Sequence, residues 1–117
     1  MSKLVLIVED EPIIRMNAVA IAEDAGFDVV EASNADDAIA LMESRPDIAA
    51  VFSDIEMPGS MNGLALMHEV RTGWPPVALI LASGRITPPA CDMPSETTFL
   101  HKPYSETALL DALNAVH

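Results

Sequence analysis

A chain of 117 residues has room for one globular domain, and an apolar fraction of 50 % with a mean hydropathy of +0.29 speaks against intrinsic disorder. Eighteen acids against six bases leave a formal charge of −12 and a pI near 4.3, which disfavours nucleic acid and anionic membranes as partners and favours cations and basic protein surfaces. The excess is uneven, with 13 acids and 3 bases in residues 1–58 against 5 and 3 in residues 59–117.

In chain order, Leu4-Val5-Leu6-Ile7-Val8 reads as a first strand, apolar without a break. Pro12 can open a helix that runs from Ile13 to Ala25 and stops at Gly26. Val29-Val30 is a short second strand. Asn34 then caps a helix whose first turn carries Asp36 and Asp37, with Ala38, Leu41 and Met42 facing inward and Pro46 ending it. Ile48 to Phe52 is the third strand, and Gly63 to Thr72 a third helix closed by Gly73 and Pro75. Val77 to Ala82 is the fourth strand. From Arg85 to Glu96 the rhythm breaks, because Pro88, Pro89 and Pro94 allow at most one short turn. Thr97 to Leu100 is a weaker fifth strand, and Ser105 caps a last helix with a Leu109, Ala112, Leu113 and Val116 stripe.

Alternation of this kind predicts an α/β fold: a flavodoxin-like, doubly wound parallel five-stranded sheet in the order 2-1-3-4-5, with the short second and fifth strands at its edges. The fourth helix is expected to be irregular or shortened. Met16, Met42, Met57, Met61 and Met67 read as core and loop packing, Trp74 as a loop anchor, His68 and His117 as solvent-facing and His101 as partly buried. The lone Cys91, the lack of a signal-peptide pattern and the lack of a long apolar run predict a cytoplasmic domain spanning 1–117.

In such a fold ligands bind at the carboxyl ends of the strands. The first strand ends in Glu9-Asp10-Glu11, the third in Ser53-Asp54-Ile55-Glu56, the fourth in Ser83-Gly84 and the fifth in His101-Lys102-Pro103. Carboxylates crowded on one rim repel unless a cation sits among them. Oxygen ligands without a Cys or His cluster favour Mg2+, with Mn2+ as the alternative. A lysine and a serine hydroxyl beside them suit the remaining oxygens of a phosphoryl group, with a carboxylate as nucleophile.

Glu9-Asp10, Asp54 with Met57-Pro58-Gly59 and Gly63-Leu64, Ser83-Gly84 and Lys102-Pro103 together resemble the receiver domain of two-component response regulators. The resemblance spans essentially the whole chain and implies a CheY-like receiver that is not an enzyme in the usual sense. It makes Asp54 the phosphoacceptor for a sensor histidine kinase or phosphotransfer protein. It implies that Asp10 binds Mg2+ directly, Glu9 through water, and Glu56 through its backbone carbonyl, with Asp54 completing the set. Lys102 and Ser83 would contact the phosphoryl group, Ser83 and Phe99 would act as the switch pair, and Glu56 and Arg85 would tune the lifetime of the acyl phosphate.

Three features depart from the family pattern. The Met57–Gly63 connection is one residue longer than usual, Gly84 replaces the commoner alanine, and the proline-rich segment 86–94 replaces a regular helix. With one helix after Lys102, the reading is a stand-alone receiver with no output domain, signalling to an unidentified downstream protein by contact or phosphorelay. A haloacid-dehalogenase-type phosphohydrolase is the rival, but it wants a second Asp where Glu56 stands. A pseudo-receiver that binds without being phosphorylated would not need Asp10, Asp54, Ser83 and Lys102 together.

Overall fold

The computed structural model describes residues 3–57, 61–84 and 88–115. Its strands are β1 (Leu4–Val8), β2 (Asp28–Ala32), β3 (Ile48–Asp54), β4 (Ala78–Ser83) and β5 (Thr97–His101). Its α-helices are α1 (Pro12–Asp24), α2 (Ala35–Ser44), α3 (Gly63–Gly73) and α4 (Glu106–Asn114). All strands run parallel in the order β2-β1-β3-β4-β5. The predicted fold is the observed one.

The unbroken apolar runs have the expected cause, burial on two faces. Leu4, Leu6, Val8, Val51, Leu79 and Leu81 point to one layer, where Met42 of α2 and Leu66, Met67 and Val70 of α3 cover them. Val5, Ile7, Ala50, Phe52, Ile80 and Ala82 point to the other, against Ala18, Ile21 and Ala22 of α1 and Leu109, Ala112 and Leu113 of α4. Each large side chain among these contributes about 1.5–3 kcal/mol by leaving water. β2 is longer than Val29-Val30, and β3 runs two residues past Phe52, so that Asp54 is its last residue.

Side chains close the helix ends, at Asn34 and Ser105 as read and also at Asn62. Asn34 accepts from the Asp37 amide at 2.8 Å, Asn62 from Ala65 at 2.9 Å and Ser105 from Ala108 at 3.0 Å. Among the described residues no α-helix lies between β4 and β5; a 3-10 turn at Ala90–Asp92 takes that place. Helix α3 holds this segment from the side. His68 Nε2 bonds the Asp92 carbonyl at 2.6 Å, and Arg71 donates to the Ser95 carbonyl at 2.9 Å and to those of Pro75 and Val77.

Two expectations need correction. Met16 is not in the core: it is 66 % exposed, beside exposed Ile13 and Ile14 on the first turns of α1. The first core residue of that helix is Ala18, so the helix begins beyond the sheet it covers. His101 is exposed rather than partly buried, with its ring edge-on to Phe99 at 4.9 Å. No helix is long and apolar enough to cross a membrane among the described residues.

Candidate functional site

Parallel register brings the strand ends level. Val8 pairs with Ser53, Asp54 with Ala82 and Ser83 with His101, so Glu9, Asp54, Ser83 and Lys102 meet on one rim. Three of these are almost fully enclosed: Glu9 is 3 % exposed, Asp54 4 % and Ser83 0 %. Buried charges are costly unless paired. Lys102 supplies the pairing, with Nζ 3.0 Å from Glu9 Oε1 and 3.0 Å from Asp54 Oδ2. Burial works against the lysine charge, but the hydrogen bonds to Glu9 and Asp54 more than offset it and raise its pKa.

The loop after β1 is held by Glu9 itself. Its Oε2 accepts from the Glu11 amide at 3.2 Å, and its carbonyl accepts from Arg15 Nη1 at 2.8 Å. Arg15 also bonds Glu31 of β2 at 3.1 Å. Reasoning from the sequence missed Arg15, although a base four residues after Glu11, one of three in the acidic half, was an available signal.

Asp54 is the least compensated group of the site. Oδ2 is taken by Lys102, whereas Oδ1 is buried without a hydrogen-bond partner. Burial pushes its carboxyl up to about 6; the Lys102 hydrogen bond opposes this, while the Glu9 charge and the Glu56 carboxyl add to it. Carboxylate oxygens of Glu9, Asp10 and Asp54 lie within 4.8 Å of one another, and Asp10 is exposed at the mouth. An unpartnered buried carboxylate oxygen in a cluster of acids fits a hard divalent cation. Protons and the cation would compete for Asp54. Mg2+ binding is therefore expected to weaken as pH falls through about 6, by up to about tenfold per pH unit, which calorimetric titration would measure.

Ser83 donates its hydroxyl to Glu56 Oε1 at 2.5 Å. Phe99, half-buried in the middle of β5, packs against the layer beneath α2 and α3. Gly84 leaves space for the lysine stem: a Cβ there would stand 3.4 Å from that of Lys102. Arg85, Pro58, Gly59 and His117 lie outside the described residues. The sequence motif included Gly63, but its role emerges only in three dimensions. A Cβ at Gly63 would stand 2.0 Å from the carbonyl oxygen of Asp54, so α3 starts directly against the backbone of Asp54.

The rim thus carries a lysine-held carboxylate, further acids and a buried hydroxyl at the switch point of a doubly wound sheet, an arrangement suited to phosphoryl chemistry. Residues 5–114 match the response regulator receiver domain family. The chain belongs to that family. It is 35 % identical over 108 residues to sensor kinase CckA of Brucella abortus, covering 89 % of this chain but 11 % of that protein. It is 32 % identical to protein PilH of Pseudomonas aeruginosa, covering 96 % of this chain and 95 % of PilH. A solved receiver protein from Sinorhizobium medicae superposes with a TM-score of 0.90 at 26 % identity, over 97 % and 96 % of the two chains. Members of the family are signalling proteins of two-component systems rather than enzymes in the usual sense.

Proposed function

We propose that Asp54 accepts a phosphoryl group from the phosphohistidine of a sensor kinase or phosphotransfer protein, and that the chain passes the signal on by protein contact or phosphorelay. The observation that carries this reading is Asp54 itself: buried at the end of β3, one oxygen held by Lys102 and the other without a partner. An Asp54 oxygen attacks phosphorus, the P–N bond to the donor histidine breaks as the O–P bond forms, and the imidazole leaves with the electron pair. Lys102 holds the carboxylate in line and balances charge that develops on the phosphoryl oxygens. The Ser83 hydroxyl serves a phosphoryl oxygen in the product, and Phe99 follows the resulting shift of β4.

Asp10, Asp54, Glu9 and the Glu56 carbonyl would hold Mg2+ (Mn2+ as the alternative), which supplies charge neutralisation between the acids and the incoming phosphoryl group. Slow hydrolysis of its own acyl phosphate is the only turnover this reading includes. Similarity to PilH over 95 % of its length supports residues 1–117 forming one receiver domain. The single cysteine fits a cytoplasmic setting, and the charge of −12 disfavours nucleic acid.

The donor has a surface to dock on. Ile13, 75 % exposed, and Ile14 line a groove with Asn17, Lys102, Pro103 and Tyr104, directly beside the acceptor. Ile13→Asp is expected to slow transfer from a cognate protein donor by about tenfold or more, while phosphorylation by acetyl phosphate stays near the native rate. Equal losses with both donors would remove Ile13 from docking. Labelling with acetyl phosphate and Mg2+, followed by mass mapping of a single base-labile phosphoryl group, tests the reading as a whole.

A further inference from the structure

The Ser83–Glu56 hydrogen bond has no part in the chemistry just described and stands in its way. Ser83 is the last residue of β4 and fully buried; Glu56 lies two residues beyond Asp54 on the neighbouring strand's exit loop. Their O–O distance of 2.5 Å is that of a short bond to a carboxylate, the strong class of hydrogen bond. A serine hydroxyl has one proton to donate. While Glu56 accepts it, a phosphoryl oxygen on Asp54 cannot.

We propose that Glu56 is a latch: in the unphosphorylated chain its carboxyl keeps the Ser83 hydroxyl committed, and a phosphoryl group on Asp54 releases it by competition and by repulsion of the Glu56 side chain. This inference rests on the phosphoacceptor reading above and deepens it. Both parts of the release follow from position. The phosphoryl oxygens bring a second, more highly charged acceptor to the same rim. Glu56 lies two residues beyond Asp54 and its carboxyl is bonded to Ser83 at the next strand end, so a phosphoryl group on Asp54 adds negative charge close to it. Glu56 acts through Ser83 and is therefore a positioning residue rather than a catalytic one. The same contact defines two states of one element, with the β4 end bound either to the Glu56 loop or to the acceptor.

The test is a double-mutant cycle on the rate of phosphorylation by acetyl phosphate with Mg2+, read by intact-protein mass. In the native background, Glu56→Ala is expected to raise the rate by about tenfold and Glu56→Gln, which keeps an acceptor but not the charge, by less. In the Ser83→Ala background, where there is no hydroxyl to hold, Glu56→Ala should change the rate by less than about twofold. A gain of the same size in both backgrounds would mean that Glu56 acts on the donor by charge alone, and overturns the latch. A fall in rate on Glu56→Ala, with circular dichroism and melting unchanged, overturns it as well. Failure of the native, folded protein to be labelled at all is a different result: it removes the phosphoacceptor reading, and the latch with it.

Discussion

Asp54→Asn is expected to abolish base-labile phosphoryl incorporation from acetyl phosphate and Mg2+ and to leave the circular dichroism of the native chain in place. The amide is not a competent nucleophile, and among the described residues no other carboxylate combines Lys102 on one oxygen with an unpartnered second oxygen. Continued labelling of the variant would place the acceptor elsewhere. The same substitution has a thermodynamic signature. Folding raises the Asp54 carboxyl from its ordinary 3.8 to about 6, so the folded state binds that proton more tightly than the unfolded state. The metal-free fold therefore loses stability as pH rises from about 4 through about 6, and the loss is complete above that window. Asp54→Asn removes the ionised group, so it is expected to raise the metal-free melting temperature at neutral and alkaline pH. That gain should shrink as pH falls through 6 and vanish below about 4, where aspartate is protonated in both states. Melting curves across pH without Mg2+ measure it. A gain that grows toward acid would reverse the sign and contradict the account of the site.

Gly63→Ala is expected to be the most damaging single methyl that can be added to the chain's described glycines. Its Cβ would stand 2.0 Å from Asp54 O, 2.7 Å from Asp54 C and 3.0 Å from the Cα of Ile55, all backbone atoms that no rotamer change can move. The Gly63 amide also donates to the Ile55 carbonyl at 3.0 Å, so the start of α3 and the end of β3 cannot separate without breaking that bond. Overpacking against backbone costs about 3 kcal/mol or more, which is a drop of roughly 10 °C or more in melting temperature for a domain of this size. Because the clash lies on Asp54, whatever fold survives should also phosphorylate slowly. Gly73→Ala is the control: a Cβ there meets nothing within 4 Å, and stability should change by less than about 1 kcal/mol. Similar losses at both positions would show that glycine is tolerated at Gly63 for a reason other than contact.

Between β4 and β5 the described residues hold no α-helix. Pro88, Pro89 and Pro94 rule out a helix there, and a 3-10 turn pinned by His68 and Arg71 of α3 stands in its place. Any partner that reads this face meets α3 and that turn together. Glu23, Asp24, Asp28, Asp36, Asp37 and Asp47, outside the site, are all exposed; four lie on α1 and α2 as solvated helix positions, whereas Asp28 opens β2 and Asp47 lies in the turn before β3.

Much of this protein was determined by the sequence alone, because its signals are local. Apolar runs such as Leu4–Val8, with no polar alternation, have only one economical place, a strand covered on both faces. Asn34, Asn62 and Ser105 cap helices through bonds to amides three residues on, and the prolines after Arg85 forbid a helix by their own geometry. Strand order then put Glu9, Asp54, Ser83 and Lys102 on one rim, and reading the rim needed only their positions at strand ends. Tertiary structure decided what depends on contacts between distant segments. Lys102 reaches Glu9 across 93 positions of chain, and the length and direction of that reach are written in no local pattern. Met16 and Ile13 are apolar by composition but exposed by placement, since α1 begins beyond the sheet and a helical period cannot say where the sheet ends. Gly63 against the Asp54 carbonyl and Ser83 against Glu56 are matters of an ångström between elements. Sequence patterns record which runs form strands and helices; the packing of one element on another sets which residues are buried and what each of them touches.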